Sequence, residues 1–173
     1  MCKIYLCKKQ ATPRNFGIFR LVRVGTLSIK VKIQNYSFEL SSNLSELKAL
    51  NQHIVGFGRD IGLSETIILE INICLDELFT NVVSYGFKDD LEHKIQFTMK
   101  VDNNILIVSI EDDGEPFNPL EKKAVEPPAN VMTAKIGGLG IHITRELMDK
   151  IDYERKRGKN KLTITKILEP KRR

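Results

Sequence analysis

An α+β two-layer sandwich, with a mixed β-sheet carrying its helices on one face, is the fold class the sequence predicts. Apolar residues alternate with period two in several short segments and recur with period 3.6 in three longer ones. Their order, ββ-α-α-ββ-α-ββ, is the third observation, because it interleaves both kinds of element without any internal repeat. The 173 residues, 42% apolar and 28% charged, suit one domain with its own core and leave no room for two large ones.

Alternation begins at Ile29, Val31 and Ile33 and resumes at Tyr36, Phe38 and Leu40, which predicts a hairpin turning at Gln34-Asn35. Ser42 and Asn43 are candidate caps, with Glu46 at capping-box distance, for a helix marked by Leu44, Leu47, Leu50, Ile54 and Phe57 and stopped at Gly62. Ser64 opens a longer helix to about Tyr85. Its apolar stripe is Ile68, Ile71, Leu75, Leu78 and Val82, while Glu77, Asn81 and Ser84 fall on the opposite side. Ile95, Phe97, Met99 and Val101 alternate in a strand. Asp102-Asn103-Asn104 turns it into a nearly continuous apolar strand, Ile105 to Ile110, of the buried kind. From Asp112 to Gly138 the chain has four prolines and little periodicity, long for a loop and more often functional than not. A helix from Leu139 to Met148 follows, then a hairpin of Ile151 to Arg157 and Lys161 to Leu168 through Gly158-Lys159-Asn160.

Charge is uneven along the chain. Residues 1–25 hold six basic residues and no acid, so this segment accounts for the whole of the net +5 and the remainder is near neutral. The expected organisation is a basic, poorly ordered arm at 1–25, a folded domain at 26–168 and a basic tail at 169–173. No reading helix or aromatic-basic strand accompanies the charge, so nucleic acid is not the expected ligand. Glu70 and Asp76 interrupt the longest apolar stretch, so no membrane span is expected. Three cysteines make no disulfide framework and no paired zinc spacing, which points to a reducing cytoplasm.

Three separated segments hold the residues with chemical potential. In Asp76-Glu77-Leu78-Phe79-Thr80-Asn81, a spacing of four puts a carboxylate and an amide one helical turn apart. A carboxylate base beside an amide oxygen suits Mg²⁺ shared with phosphates; a solvated helix face carries the same residues without function. Glu111-Asp112-Asp113-Gly114-Glu115-Pro116 follows a buried strand. There a carboxylate can accept from an exocyclic amine such as adenine's while Gly114 turns the backbone away, although a plain Asp-Gly turn reads the same way. Ile136-Gly137-Gly138-Leu139-Gly140-Ile141 runs into a helix. Its backbone N–H groups and helix dipole suit phosphate oxygens, or it is a hinge. It fits neither a Walker loop nor a Rossmann fingerprint.

Together these segments resemble the GHKL ATPase superfamily, and within it the anti-sigma factor serine kinases of the RsbW and SpoIIAB type, over about Ser28 to Lys166. The resemblance implies the Bergerat ATP-binding fold. It implies that Glu77 activates the attacking group, that Asn81 holds Mg²⁺, and that Asp112, Gly114 and Pro116 belong to the adenine motif. Gly137, Gly138, Leu139, Gly140 and Ile141 would form the end of an ATP lid, in which Lys122, Lys123 and Lys135 also lie. Tyr85 stands where the family often has His, and Lys159-Asn160 where relatives carry Gly-Thr near the last strand. The implied activity is ATP-dependent phosphorylation of a STAS-type anti-anti-sigma factor, with a sigma factor or other effector as second partner and a possible homodimer. The alternative is a nucleotide-dependent sequestering protein with little or no transfer. His53 lacks the flanking residues of a phosphoacceptor, and His93 and His142 read as surface and packing residues.

Overall fold

In the computed structural model, residues 21–24, 27–30, 35–89, 91–102, 104–121 and 139–168 are described, the first two segments and Leu139 by backbone alone. Two short strands, β1 (Leu21–Val24) and β2 (Leu27–Lys30), pair antiparallel with each other. The main sheet holds β3 (Asn35–Ser41), β4 (Lys94–Asp102), β5 (Ile105–Asp112), β6 (Lys150–Lys156) and β7 (Lys159–Ile167), in the order β3-β4-β5-β7-β6.

The two-layer α+β class is as expected, but every pairing in the main sheet is antiparallel rather than mixed. The reason is topological. β5 and β6 run the same way, and the β6–β7 hairpin inserts β7 between them, so no parallel pair is formed. Residues 31–34 of the hairpin expected through Gln34-Asn35 lie outside the described residues. Phe38 and Leu40 pair with Phe97 and Ile95 of β4, while residues 27–30 pair with 21–24.

Local sequence explains the helices. Asn43 accepts a hydrogen bond from the Ser45 amide at 2.9 Å and starts a single 3₁₀ turn, Leu44–Glu46, which leads into α1 (Leu47–Ile61). Gly62 stops α1 with a φ of 73°, a left-handed cap that favours glycine. Ser64 caps α2 (Glu65–Tyr85), accepting from the Ile67 amide. The third helix, α3, is Leu139–Leu147.

Strand alternation sends Phe38, Leu40, Ile95, Phe97, Met99, Val101, Leu106, Val108, Ile110 and Ile164 to one face of the sheet, all buried. Leu50, Ile54 and Phe57 of α1 cover them together with Ile68, Ile71, Leu75, Leu78 and Phe79 of α2. The Phe38 and Phe97 rings lie parallel, with centroids 4.9 Å apart. The opposite face carries Ser37, Gln96, Thr98, Ser109 and Thr163, only partly buried, so β5 is covered on one side and not on both.

His53 belongs to this packing. Its ring stacks on Phe38, and its Nδ1 is hydrogen-bonded to the Tyr36 hydroxyl. Burial lowers its pKa from the ordinary value, which favours the neutral imidazole. Among the described residues no helix is long and apolar enough to cross a membrane.

Candidate functional site

Sheet register builds the floor of the site. Asp112 of β5 lies opposite Asn160 of β7, and Asn160 lies opposite Arg155 of β6. The next inward row is Ile110, Leu162 and Tyr153. Both rows face the helices, at the sheet end where β5 leads into the long loop.

Leu78, Asn81, Val82 and Gly86 of the α2 side wall this floor, with Ile141 of α3 and Glu115, Phe117 and Pro119 of the loop. They line a largely apolar pocket that opens to solvent at its mouth.

One buried carboxylate lies on the floor. Asp112 is 6% exposed, and its Oδ1 accepts from the Gly114 amide at 2.9 Å and from Asn160 Nδ2 at 2.8 Å. Both bonds fall on Oδ1, which leaves Oδ2 as the oxygen available to a ligand donor. Burial raises the Asp112 pKa from its ordinary value, opposed by the hydrogen bonds from Asn160 and Gly114.

Two glycines bring the α2 end and this loop into backbone contact. The Glu115 amide donates to the Gly86 carbonyl at 2.7 Å, and a β-carbon on Gly114 would be driven into that same carbonyl oxygen.

The three sequence segments therefore meet, though not every residue lines the pocket. Asn81 and Asp112 line it, as does Ile141. Gly114 is buried beneath the turn, while Pro116 is exposed. Glu77 is exposed one turn before Asn81, and its side chain lies so close to Gly140 that a β-carbon there would overlap it. The side of α2 that carries Glu77, expected to oppose the core, is thus the side that α3 crosses. Below that crossing Thr144 is buried and donates to the Gly140 carbonyl at 2.8 Å, and it bonds the Cys74 thiol, which burial pushes up to about 11. Such a thiol is no nucleophile. Leu139 opens α3, whereas Gly137, Gly138, Lys122, Lys123 and Lys135 lie outside the described residues.

Asn160, Tyr153 and Arg155 were not legible as site residues. The expected turn at Gly158-Lys159-Asn160 is instead Arg157-Gly158, with φ of 53° and 81°, a two-residue hairpin turn that puts Asn160 inside β7. The available signal was phase: Asn160 falls in step with Leu162 and Ile164, so it is a polar residue at an inward position.

His93 braces the back of the loop. Its ring stacks on Phe87, and its nitrogens bond Asp89 at 2.7 Å and Asp113 at 3.1 Å. The Asp89 bond, aided by that of Asp113, raises the His93 pKa from its ordinary value. Because the folded value is raised, this stabilisation is fully present below about pH 6.5 and is lost as pH rises through the folded value. The thermal midpoint of the native chain should therefore exceed that of His93→Gln by more at about pH 5.5 than at about pH 8.5. An equal gap at both would remove the charge from the account.

The donor set also bears on a cation. Among the described residues no group of three or more His, Cys, Asp or Glu side chains could hold a metal ion unaided. The Asn81 amide at the pocket, with Glu77 a turn away, fits a hard cation that takes most of its oxygens from phosphates and water, as Mg²⁺ does.

An antiparallel sheet with helices on one face and an apolar pocket between α2, α3 and the β5 loop is the architecture the comparisons identify. A family model for the histidine kinase-like ATPase domain matches residues 40–166, and the chain belongs to that family. By sequence it is 30% identical over 97 residues to the serine/threonine-protein kinase BtrW of Bordetella bronchiseptica, covering 55% of this chain and 67% of that protein. It is 26% identical over 121 residues to the serine-protein kinase RsbW of Bacillus subtilis, covering 68% and 75%. A crystal structure of the RsbU and RsbW domains of a Mycobacterium tuberculosis protein shares the fold, with a TM-score of 0.55 and 14% identity over 78% of this chain and 32% of that one. The resemblance to the anti-sigma kinases expected from the three motifs agrees with these matches.

Proposed function

We propose that this chain is a protein serine/threonine kinase and anti-sigma regulatory factor of a bacterial partner-switching system. It binds Mg·ATP between α2 and residues 112–140 and transfers the γ-phosphoryl group to a hydroxyl of a STAS-type anti-anti-sigma factor. The observation that carries this reading is the one pocket on which Asn81, Asp112 and Ile141 converge.

Each residue has a task that its surroundings support. Asp112 accepts from the adenine amine through Oδ2, and Gly114 keeps the turn clear of the base. Backbone N–H groups where α3 begins, at Leu139 to Ile141, face phosphate oxygens with the positive end of the helix dipole behind them. Asn81 lends its amide oxygen to Mg²⁺, which when bound neutralises phosphate charge. Glu77 orients the partner hydroxyl and takes its proton as the oxygen bonds to the γ-phosphorus and the bond to the ADP oxygen breaks. Positioning and charge neutralisation supply most of the acceleration. A partner so phosphorylated no longer competes for this chain, which is then free to hold a sigma factor or another effector.

The test uses purified protein, labelled Mg·ATP and the STAS protein encoded nearby. Label should reach a serine or threonine of the partner. Nucleotide binding with no label on the partner would leave a sequestering protein without transfer and end the kinase reading. Asp112→Asn should weaken ADP binding by about tenfold or more, the scale of one hydrogen bond to a charged group. Unchanged affinity in equilibrium titration would reject Asp112 as the adenine acceptor.

A further inference from the structure

Asn160 ties β6, β7 and the turn after β5 together through side-chain hydrogen bonds at the pocket floor. It is 6% exposed. Its Oδ1 accepts from Arg155 at 2.6 Å and from the Tyr153 hydroxyl at 2.8 Å. Two donors converging on one atom settle which end of the amide is oxygen. Nδ2 must therefore point the other way, and there it donates to Asp112 Oδ1 at 2.8 Å and to the Glu115 carbonyl at 2.9 Å, with the Gly114 carbonyl at 3.4 Å. Arg155 also reaches the Gly114 carbonyl, at 3.0 Å.

We propose that Asn160, itself oriented by Tyr153 and Arg155, is a positioning residue that fixes the Asp112 carboxylate and the 114–115 turn for recognition of a base bearing an exocyclic amine. The proposal rests on the nucleotide reading above and adds to it a part that local spacing does not reveal. The geometry gives it content in two ways. Occupying Oδ1 with donors from Gly114 and Asn160 locks the carboxylate rotamer and directs Oδ2 to the ligand. The same amide holds the two carbonyls that shape the turn, so base acceptor and loop move as one body.

The charged groups acting on Asp112 are Asp113, next in the chain, and Arg155 on β6; Glu111 is occupied by Lys159 at 2.9 Å. Among the influences on the carboxylate, the Asn160 bond is the foremost that favours the ionised form, which is the form that can accept from an amine. Removing the amide donor therefore makes Asp112 protonate at higher pH, and ADP binding should fail at higher pH with it.

Asn160→Ala and Asn160→Leu test this in the full chain. Both remove the amide donor to Asp112 without adding a charge beside it, Asn160→Leu at nearly the original volume and Asn160→Ala with a smaller side chain. In each, ADP affinity near neutral pH should fall about tenfold or more, and the acid limb of the binding profile should move to higher pH. Guanosine nucleotides should bind no better than before. The carboxyl carbon resonance of Asp112, followed against pH in the unliganded protein, should titrate at higher pH in Asn160→Leu than in the native chain. Should the leucine variant not fold, the acid limb of Asn160→Ala decides. Affinity within about twofold of native with an unmoved acid limb, or an unmoved Asp112 titration, overturns the proposal. A native chain that binds no adenosine nucleotide defeats the nucleotide reading instead, and the unliganded titration still settles whether Asn160 governs Asp112.

Discussion

Replacing Glu77 by glutamine is expected to reduce phosphoryl transfer to the partner by at least about 100-fold, the lower end of what a positioned base contributes, while ADP affinity changes less than about threefold. The separation follows from where Glu77 stands. It is exposed and outside the lining of the pocket, whereas Asn81, one turn further along α2, lines it. Losing the carboxylate therefore spares the base and the apolar walls. Glutamine is nearly isosteric, so the close approach of Gly140 to this side chain is undisturbed. Single-turnover transfer of label, measured beside ADP titration, checks both halves. Equal losses in both would make Glu77 a structural residue of the α2–α3 contact.

Gly114→Ala is expected to lower the unfolding free energy by about 1–3 kcal/mol, the usual cost of overpacking, and to abolish measurable ADP binding. The added carbon would meet the Gly86 carbonyl oxygen and carbon, which are backbone atoms that cannot rotate aside. To relieve the overlap the β5 loop must lift from the α2 terminus. That movement breaks the Glu115 amide bond to Gly86 and disturbs the Gly114 amide bond to Asp112, so stability and site fail together. Urea unfolding and ADP titration of the same sample check the coupling. A variant as stable as native that binds as well would mean the two loops are not held as described.

Local pattern made much of this legible. Ser64 and the 3.6-period stripe defined α2 nearly to the residue, and alternation at Ile95, Phe97, Met99 and Val101 gave β4 its buried face. Asp112 could be read as a site residue because a carboxylate closing an apolar strand is conspicuous in one dimension. Pairing is not written locally. Phe38 and Leu40 suit any neighbouring strand, and their pairing with β4 depends on how the aromatic residues of α1, β3 and β4 pack. The Asp112–Asn160–Arg155 row joins three strands separated by up to 48 residues, and it exists only once β7 is inserted between β5 and β6. A two-residue error in placing the last turn removed Asn160 from the strand and hid the row.

The central claim is that segments near Asn81, Asp112 and Gly140 surround one adenine nucleotide. Titrating the isotope-labelled full chain with Mg·ADP and following its amide resonances tests that most directly. The account predicts that the Asn81 side-chain amide and the backbone amides of Gly114, Gly140 and Ile141 shift together and fit a single dissociation constant. Shifts confined to a surface elsewhere, or none at all, would contradict it.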